Sequence, residues 1–291
     1  MSLSVALATF NEEKNLGKCL ESVKDLASEI VVVDGSSKDK TVEIAKSFGA
    51  KVIVTDNPPI FHINKMKAVE ASSGEWILQL DADEVVSPKL SEEIKKVIGM
   101  SEKELEEYQE NLPRRSLFLR HQKLLEERDG AVGTNKGEYV AFFIPRANYF
   151  LGRFLKYGGV YPDGVIRLFK KGKAYLPCVS VHEQYVVLGK VGWLQNNLLH
   201  FDSPTFGKYI KRNNRYTDLI ADEIKEKRKG LNPFFALDYL FLKPIWWFLL
   251  TFFRHKGFLD LWQGFVFSFF SSLRFPISYI KSWRIKEGNK S

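Results

Sequence analysis

From Ser2 to Val86 the chain alternates between strand-like and helix-like stretches, a rhythm few architectures accept. "SLSVALATF" is a β-rich run of strand length, and "NLGKCLESVKDL" spaces Leu16, Leu20 and Val23 along one helical face. "EIVVVDGSS" holds three consecutive valines, as expected of a strand buried on both faces. "KTVEIAKSFG" reads as a helix closed by Gly49. A third strand ("AKVIVTD"), a helix ("NKMKAVEAS") and a fourth strand ("EWILQL") follow. The pattern predicts an α/β fold, with a mostly parallel sheet, right-handed crossovers and flanking helices.

The fourth strand runs straight into acid: "EWILQLDADEVVSP". In open parallel sheets, ligands bind beyond the carboxyl ends of the strands. Asp34 ends the second strand at that edge, and Asp81 and Asp83 end the fourth at the same edge. In extended chain, residues i and i+2 point the same way. Two such carboxylates make a hard oxygen site suited to Mg²⁺ or Mn²⁺. A cation there would screen a diphosphate and the charge that grows on it as a bond breaks. The plain alternative is an exposed acidic turn.

Beyond this half the texture changes twice. From about Ser91 to Lys136 the chain is charged and helix-prone with a break at Pro113, which reads as solvated helices inserted into the domain. From Glu138 to His200 it is β-like and rich in Gly and aromatics. After Thr205 it turns helical and basic: residues 205–291 hold 16 Lys+Arg against 7 Asp+Glu, while the rest holds 27 against 28. Of 40 aromatic residues, 18 lie between Leu231 and Trp283. The expected division is a catalytic domain at 1–204 and a helical, basic, aromatic region at 205–291. Within the first, the nucleotide-binding half is about 1–90, the charged insert about 98–137 and the acceptor half about 138–204.

Runs such as Ile245–Phe253 and Leu261–Phe270 fall short of the twenty or so apolar residues that span hydrocarbon, and Lys243, Pro244, Arg254 and Asp260 interrupt them. Trp, Phe, Lys and Arg together predict helices lying against an anionic membrane surface. Core packing or an oligomer seam is the alternative. A nucleic-acid partner is not expected, since the basic region is packed with Phe and Trp and has no groove-reading motif. The N-terminus lacks the basic start of a leader and reads as the first strand. The only two cysteines, Cys19 and Cys178, stand far apart and read as reduced thiols of a cytosolic compartment. The expected location is cytoplasmic, peripheral on the inner face of the cell membrane.

Together, "ATFNEEKNLGKCLESV", "EIVVVDGSSKDKTVEIAKSFGAKV" and "GEWILQLDADEVV" resemble the inverting family 2 of nucleotide-sugar glycosyltransferases, which have the GT-A fold. "PRANYFLGRFLKYGGVYPDGVIRLFKKGKA", "VHEQ" and "KGFLDLWQGFVF" are similar to its lipopolysaccharide-core β-glucosyltransferase subgroup. The likeness covers nearly the whole chain outside the charged insert. It implies a GT-A-type sheet with a membrane-associating C-terminal region, and a sugar moved from a nucleotide-diphosphate sugar, UDP-linked, to a saccharide or lipid-linked acceptor of the cell envelope. It also implies roles. Thr9, Asn11 and Glu12 would line the nucleotide pocket, and Asp34 would meet the uracil or ribose. Lys65 would lie near the donor, although Met66 stands where the family often has Asn. Asp81 would bond the ribose or assist the metal, Ala82 would lie with it in the donor site, and Asp83 would be the main metal ligand. Arg167, in "IRLF", would sit near the diphosphate or acceptor, where a guanidinium fork suits phosphate oxygens.

An inverting transfer needs one carboxylate to take the acceptor's proton. Glu183 in "SVHEQ" is the first candidate. His182 beside it would orient the base, donate to phosphate or complete the metal shell. Asp163 is the second candidate, although "PDG" is also ordinary turn chemistry. His62, His121, His200 and His255 show no partner pattern, with slight interest in His200, in "LLHFD", from similar sequences of the subgroup. A sugar nucleotidyltransferase is disfavoured, because "TFNEE" lacks glycine for a phosphate loop. A polyprenyl-phosphate sugar synthase and a non-catalytic membrane-surface module remain as rivals.

Overall fold

The apolar stretches of the first half form strands, and most of their side chains outside the third are buried on both faces. In the computed structural model, which describes residues 1–179, 183–227 and 232–283, they are β1 (Leu3–Thr9), β2 (Glu29–Asp34), β3 (Lys51–Val54) and β4 (Trp76–Leu80). β1 pairs in parallel with β2 and with β4, and β2 with β3. The register Thr9↔Asp34 brings those two residues side by side at the carboxyl edge. Helices α1 (Leu16–Glu21), α2 (Thr41–Ser47) and α3 (His62–Ala71) supply the crossovers. This is the α/β pattern the sequence predicts.

The sheet extends beyond the parallel block. The other strands are β5 (Glu84–Val86), β6 (Tyr139–Phe150), β7 (Arg153–Phe154), β8 (Asp163–Lys170), β9 (Ala174–Tyr175), β10 (Val186–Val187), β11 (Lys190–Trp193) and β12 (Leu198–Ser203). The order is β3-β2-β1-β4-β8-β6-β12-β5, with β7 and β11 beside β6 and a separate β9–β10 pair. β8 joins β4 and β6 antiparallel, so Arg167 and Asp163 of β8 reach the acidic edge of β4. Fully buried Val5, Leu7, Val32 and Leu78 belong to the core on one face, and Ala6, Val33, Ile77 and Phe143 to the core on the other. Each of these Val, Leu, Ile and Phe side chains contributes about 1.5–3 kcal/mol on burial.

The charged insert is less solvated than expected. It holds α5 (Glu102–Glu110), capped by a reciprocal Ser101–Glu104 box, and α6 (Arg115–Asp129), after α4 (Pro88–Ile98). Leu105, Phe118 and Leu125 are buried, and Phe118 stacks on Trp193 at 4.8 Å. One apolar face of each helix therefore belongs to the core, beneath a charged outer face.

Two compact units emerge: Met1–Ala147 with Pro162–His200, and Asn148–Tyr161 with the chain from Phe201 onward. The division differs from the expected break at residue 204, because the segment 148–161 clusters with the C-terminal part. In that second unit lie α7 (Phe206–Lys227), α8 (Pro233–Arg254), α9 (Leu261–Ser272) and α10 (Arg274–Lys281). The expected interruption at Lys243 and Pro244 does not occur. α8 continues through both for 22 residues, long and apolar enough to cross a membrane. A wide π-type turn at Asp238–Leu242 precedes the proline, whose missing N–H and bulky ring a regular turn would not accept. Lys243 bonds Asp238 at 2.8 Å and lies over the Tyr239 ring, so its charge is compensated inside an apolar helix.

Candidate active site

At the carboxyl edge of β1 and β4 a cavity of about 230 Å³ opens, lined by Ala8, Thr9, Phe10, Glu12, Asn57, Phe61, Asn64, Lys65, Asp81, Ala82 and Asp83. Of the residues expected at the donor, Thr9, Glu12, Lys65, Asp81, Ala82 and Asp83 are thus brought together. Asp34 and Asn11 stand behind them. Asp34 is fully buried; it accepts from Thr9 Oγ1 (3.0 Å), Ser37 Oγ (2.6 Å) and Ser37 N (2.8 Å). Asn11, at φ 55°, bonds Ser37 and Lys38 and so ties the first loop to the second.

Five further residues of the lining escaped sequence reasoning: Ala8, Phe10, Asn57, Phe61 and Asn64. Asn64 is buried; its amide donates to Asp56 O at 2.8 Å, while its Oδ1 has no partner. A buried acceptor left unsatisfied costs about 1–3 kcal/mol, so this oxygen is suited to a ligand N–H or O–H. Its one sequence signal was its place beside Lys65 in "INKMK".

Beneath the cavity lies a string of alternating charge. Lys65 Nζ is 2.5 Å from Asp81 Oδ1, and Arg167 Nη2 is 2.5 Å from Asp81 Oδ2 and 2.8 Å from Glu84 Oε1. Glu84, fully buried, also accepts from Asp81 N and lies 3.5 Å from Arg146 Nη1. Arg146 in turn holds Asp163 at 2.8 Å. Burial pushes the Asp81 carboxyl up, but Arg167 and Lys65 outweigh it and hold it well below the usual carboxylate range. Burial pulls Lys65 down, more than its pairing with Asp81 restores. Asp81 nevertheless remains ionised, because a second cation, Arg167, bonds its other oxygen. Burial also pulls on Arg167, yet Asp81 and Glu84 raise it above the ordinary arginine value.

Two of the expected site residues take part in this string. Arg167 does not line the cavity; its fork is used on Gln79, Asp81 and Glu84, because antiparallel β8 delivers it behind the strand end. Asp81, expected to bond the ribose or assist the metal, lines the cavity while Lys65 and Arg167 each bond one of its oxygens. His182, expected in the metal shell, lies outside the described residues. Asp83 does face the cavity, and its Oδ1 lies 3.6 Å from His200 Nε2 on β12. A carboxylate oxygen and an imidazole nitrogen at this separation fit part of a Mg²⁺ or Mn²⁺ shell. Among the described residues no three His, Cys, Asp or Glu gather to hold a metal by themselves. Diphosphate oxygens and water would have to supply the remaining positions.

Glu183 is largely buried beside the start of α3: its Oε1 lies 3.0 Å from His62 Nδ1 and its Oε2 accepts from Val179 N at 3.3 Å. It lines a second cavity of about 380 Å³ with Asp129, Val132, Pro177 and Tyr185. His62 sits two and three positions before Asn64 and Lys65, so one helix start serves both places. Asp163 begins β8 instead of occupying a turn, and Arg146 grips it through Nε and Nη2.

Residues 4–105 match the family described as Glycosyl transferase family 2. An uncharacterized glycosyltransferase of Rickettsia typhi is 28% identical over 274 residues, covering 91% of this chain and 80% of its own length. The lipopolysaccharide core biosynthesis glycosyltransferase LpsC of Rhizobium meliloti is 28% identical over 293 residues, covering 94% of this chain and 92% of its own. A glucosyl-3-phosphoglycerate synthase structure from Mycobacterium tuberculosis aligns over 34% of this chain and 38% of its own, at 23% identity and a TM-score of 0.29, an overlap too partial to bear on function. With the acidic edge, its cavity and these relatives in view, the chain is a glycosyltransferase that carries a glycosyl transferase family 2 domain over residues 4–105 and resembles enzymes of lipopolysaccharide core biosynthesis.

Proposed function

We propose that this enzyme transfers a sugar, with inversion, from a UDP-sugar to a saccharide or lipid-linked acceptor in cell-envelope glycan synthesis. The observation that carries this reading is the cavity at the strand ends, which sets polar, aromatic and charged groups in one place. Phe10 and Phe61 expose ring surface there, suited to stacking on a base. The unpartnered Asn64 Oδ1 is placed to accept from a base or ribose donor. Thr9 is held by Asp34, so the first strand end is fixed before a ligand arrives. The full-length kinship with LpsC supports the cell-envelope setting.

Asp83 and His200 would hold a Mg²⁺ or Mn²⁺ ion, which when bound screens the negative charge of the departing nucleoside diphosphate. Lys65, at the cavity wall, adds a fixed positive charge. Glu183 would take the proton of the attacking acceptor hydroxyl as the bond from the anomeric carbon to the diphosphate oxygen breaks. His62 holds that carboxylate through Oε1, and Oε2 accepts a long bond from Val179 N. Asp163 suits the role less, because Arg146 holds its Oδ2 through both Nε and Nη2.

A panel of nucleoside-diphosphate sugars tests the reading through nucleoside diphosphate release with Mn²⁺, Mg²⁺ or a chelator. UDP release that requires the cation is the expected result; no release from any donor overturns it. Glu183→Gln should bind UDP like the wild type and lose at least about a hundredfold in transfer. Undiminished transfer would overturn the assignment of the base. Transfer to a polyprenyl phosphate, not to a saccharide, would make the enzyme a lipid-phosphate sugar synthase.

A further inference from the structure

Within the C-terminal unit, α8 has a mean hydropathy of 1.3 in its most apolar stretch, yet only 11% of that stretch is buried. Phe241, Ile245, Leu249 and Phe253 recur every four residues along an exposed stripe. Trp246 widens it, at 60% exposure, and Trp262 of α9 adds to the unit's exposed apolar surface at 57%. Exposed Arg254, His255 and Lys256 stand at the C-terminal end of α8, directly after Phe253.

We propose that this face lies in the interfacial layer of an anionic phospholipid bilayer, with α8 parallel to the membrane plane instead of crossing it. Three observations carry this. First, the stripe is apolar and aromatic and ends in cationic residues, on a segment with 16 Lys+Arg against 7 Asp+Glu, so the complementary surface is apolar beneath and anionic at its rim. Second, both halves of α8 are fastened to the same unit. Its N-terminal half packs Phe235 and Tyr239 on Tyr279, and Trp247 donates to Ser271 Oγ at 3.1 Å. At its C-terminal end, His255 O accepts from Gly158 N at 2.9 Å, and the following turn holds Asp260 against Lys156 N and Tyr157 N. A spanning helix must place its ends in water on opposite sides of about 30 Å of hydrocarbon. Third, α10 is bound to charged α7 through Lys281, which meets Asn214, Thr217 and Asp218 within 2.9 Å. Carrying α8 across the bilayer would drag these polar partners into hydrocarbon or tear them away. The proposal does not depend on the sugar-transfer reading.

The test uses the full chain and vesicles of phosphatidylcholine with or without phosphatidylglycerol. Sedimentation should show binding to anionic vesicles at least about tenfold stronger than to neutral ones, weakening with salt. Bromines placed shallowly in the acyl chains should quench the wild-type tryptophan emission, a readout that needs no variant. Phe241→Glu with Trp246→Glu should lose binding by about a hundredfold while keeping the thermal midpoint, since both side chains are exposed. Arg254→Glu with Lys256→Glu should lose only the preference for anionic lipid. For orientation, Pro233→Cys and Arg254→Cys, each in a Cys178→Ser background, are treated on intact vesicles with a membrane-impermeant maleimide. Labelling at both ends supports the in-plane arrangement. Protection of one end until detergent is added overturns it, as does failure to bind vesicles. Concentration-dependent dimers without vesicle binding, abolished by the two glutamates, would assign the face to a second copy and equally overturn it.

Discussion

Asn64 shows how much a single buried atom can say. Its amide is used on Asp56 O, and its Oδ1 is left at the wall of the cavity with no partner. Asn64→Ala should weaken UDP binding by roughly tenfold in titration calorimetry, the worth of one hydrogen bond to a buried acceptor, with little change in the folding midpoint. Unchanged affinity would mean that the ligand does not reach this oxygen. Cys19 is the converse case. It is fully buried, and burial, reinforced by Glu84 and Asp81, pushes its thiol well above the ordinary range. Its thiol is thereby held in the neutral form within the core.

Helix α6 shows what a charged stretch can conceal. Its sequence, "RSLFLRHQKLLEERD", reads as solvated because charge dominates the average. Phe118 and Leu125, seven positions apart, nonetheless lie on one face and are buried. Phe118 stacks on Trp193, which also stacks on Phe143 of β6 at 4.6 Å and donates through Nε1 to Gln122 at 3.0 Å. The insert is therefore part of the core's second face. Phe118→Ala should cost about 3–5 kcal/mol in urea unfolding, as for other large aromatic truncations in a packed core. A cost under 1 kcal/mol would mean that the helix is a detachable decoration. α8 makes a similar point: a proline inside a helical pattern need not end the helix when a wide turn precedes it.

The ionic string links α3, the end of β4, β5, β6 and β8, with three cations and three carboxylates in balance. It ties the parallel strands to the antiparallel half of the same unit, so its titration reads out the fold. Asp81 is held below its ordinary value in the folded state, and its contribution is present above the unfolded carboxylate range, near pH 4. That contribution fades as pH falls through the depressed folded value. The urea midpoint of the wild type should therefore drop in acid below about pH 4. Asp81→Asn should be less stable than the wild type at pH 7, and the gap should close at low pH. A gap independent of pH would mean that the string is not ionised as drawn.

The parallel core, its crossovers and the acidic edge were legible in the residues because their signals are local. Strand length and valine runs act within a few positions; the extended i, i+2 geometry expected of Asp81 and Asp83 is replaced by a turn that Glu84 N closes on Asp81 O. The partners were not legible, because chain separation hides them. Arg167 lies 86 positions from Asp81, and Glu183 lies 121 from His62. Nothing in "IRLF" says whether its fork meets a ligand or a carboxylate; that depends on β8 pairing antiparallel with β4. Nor does a lone "FHIN" announce that its imidazole will steady a glutamate. Local periodicity encodes elements, whereas the pairing of buried charges follows from which elements the fold lays side by side, and only burial makes each charge require its partner.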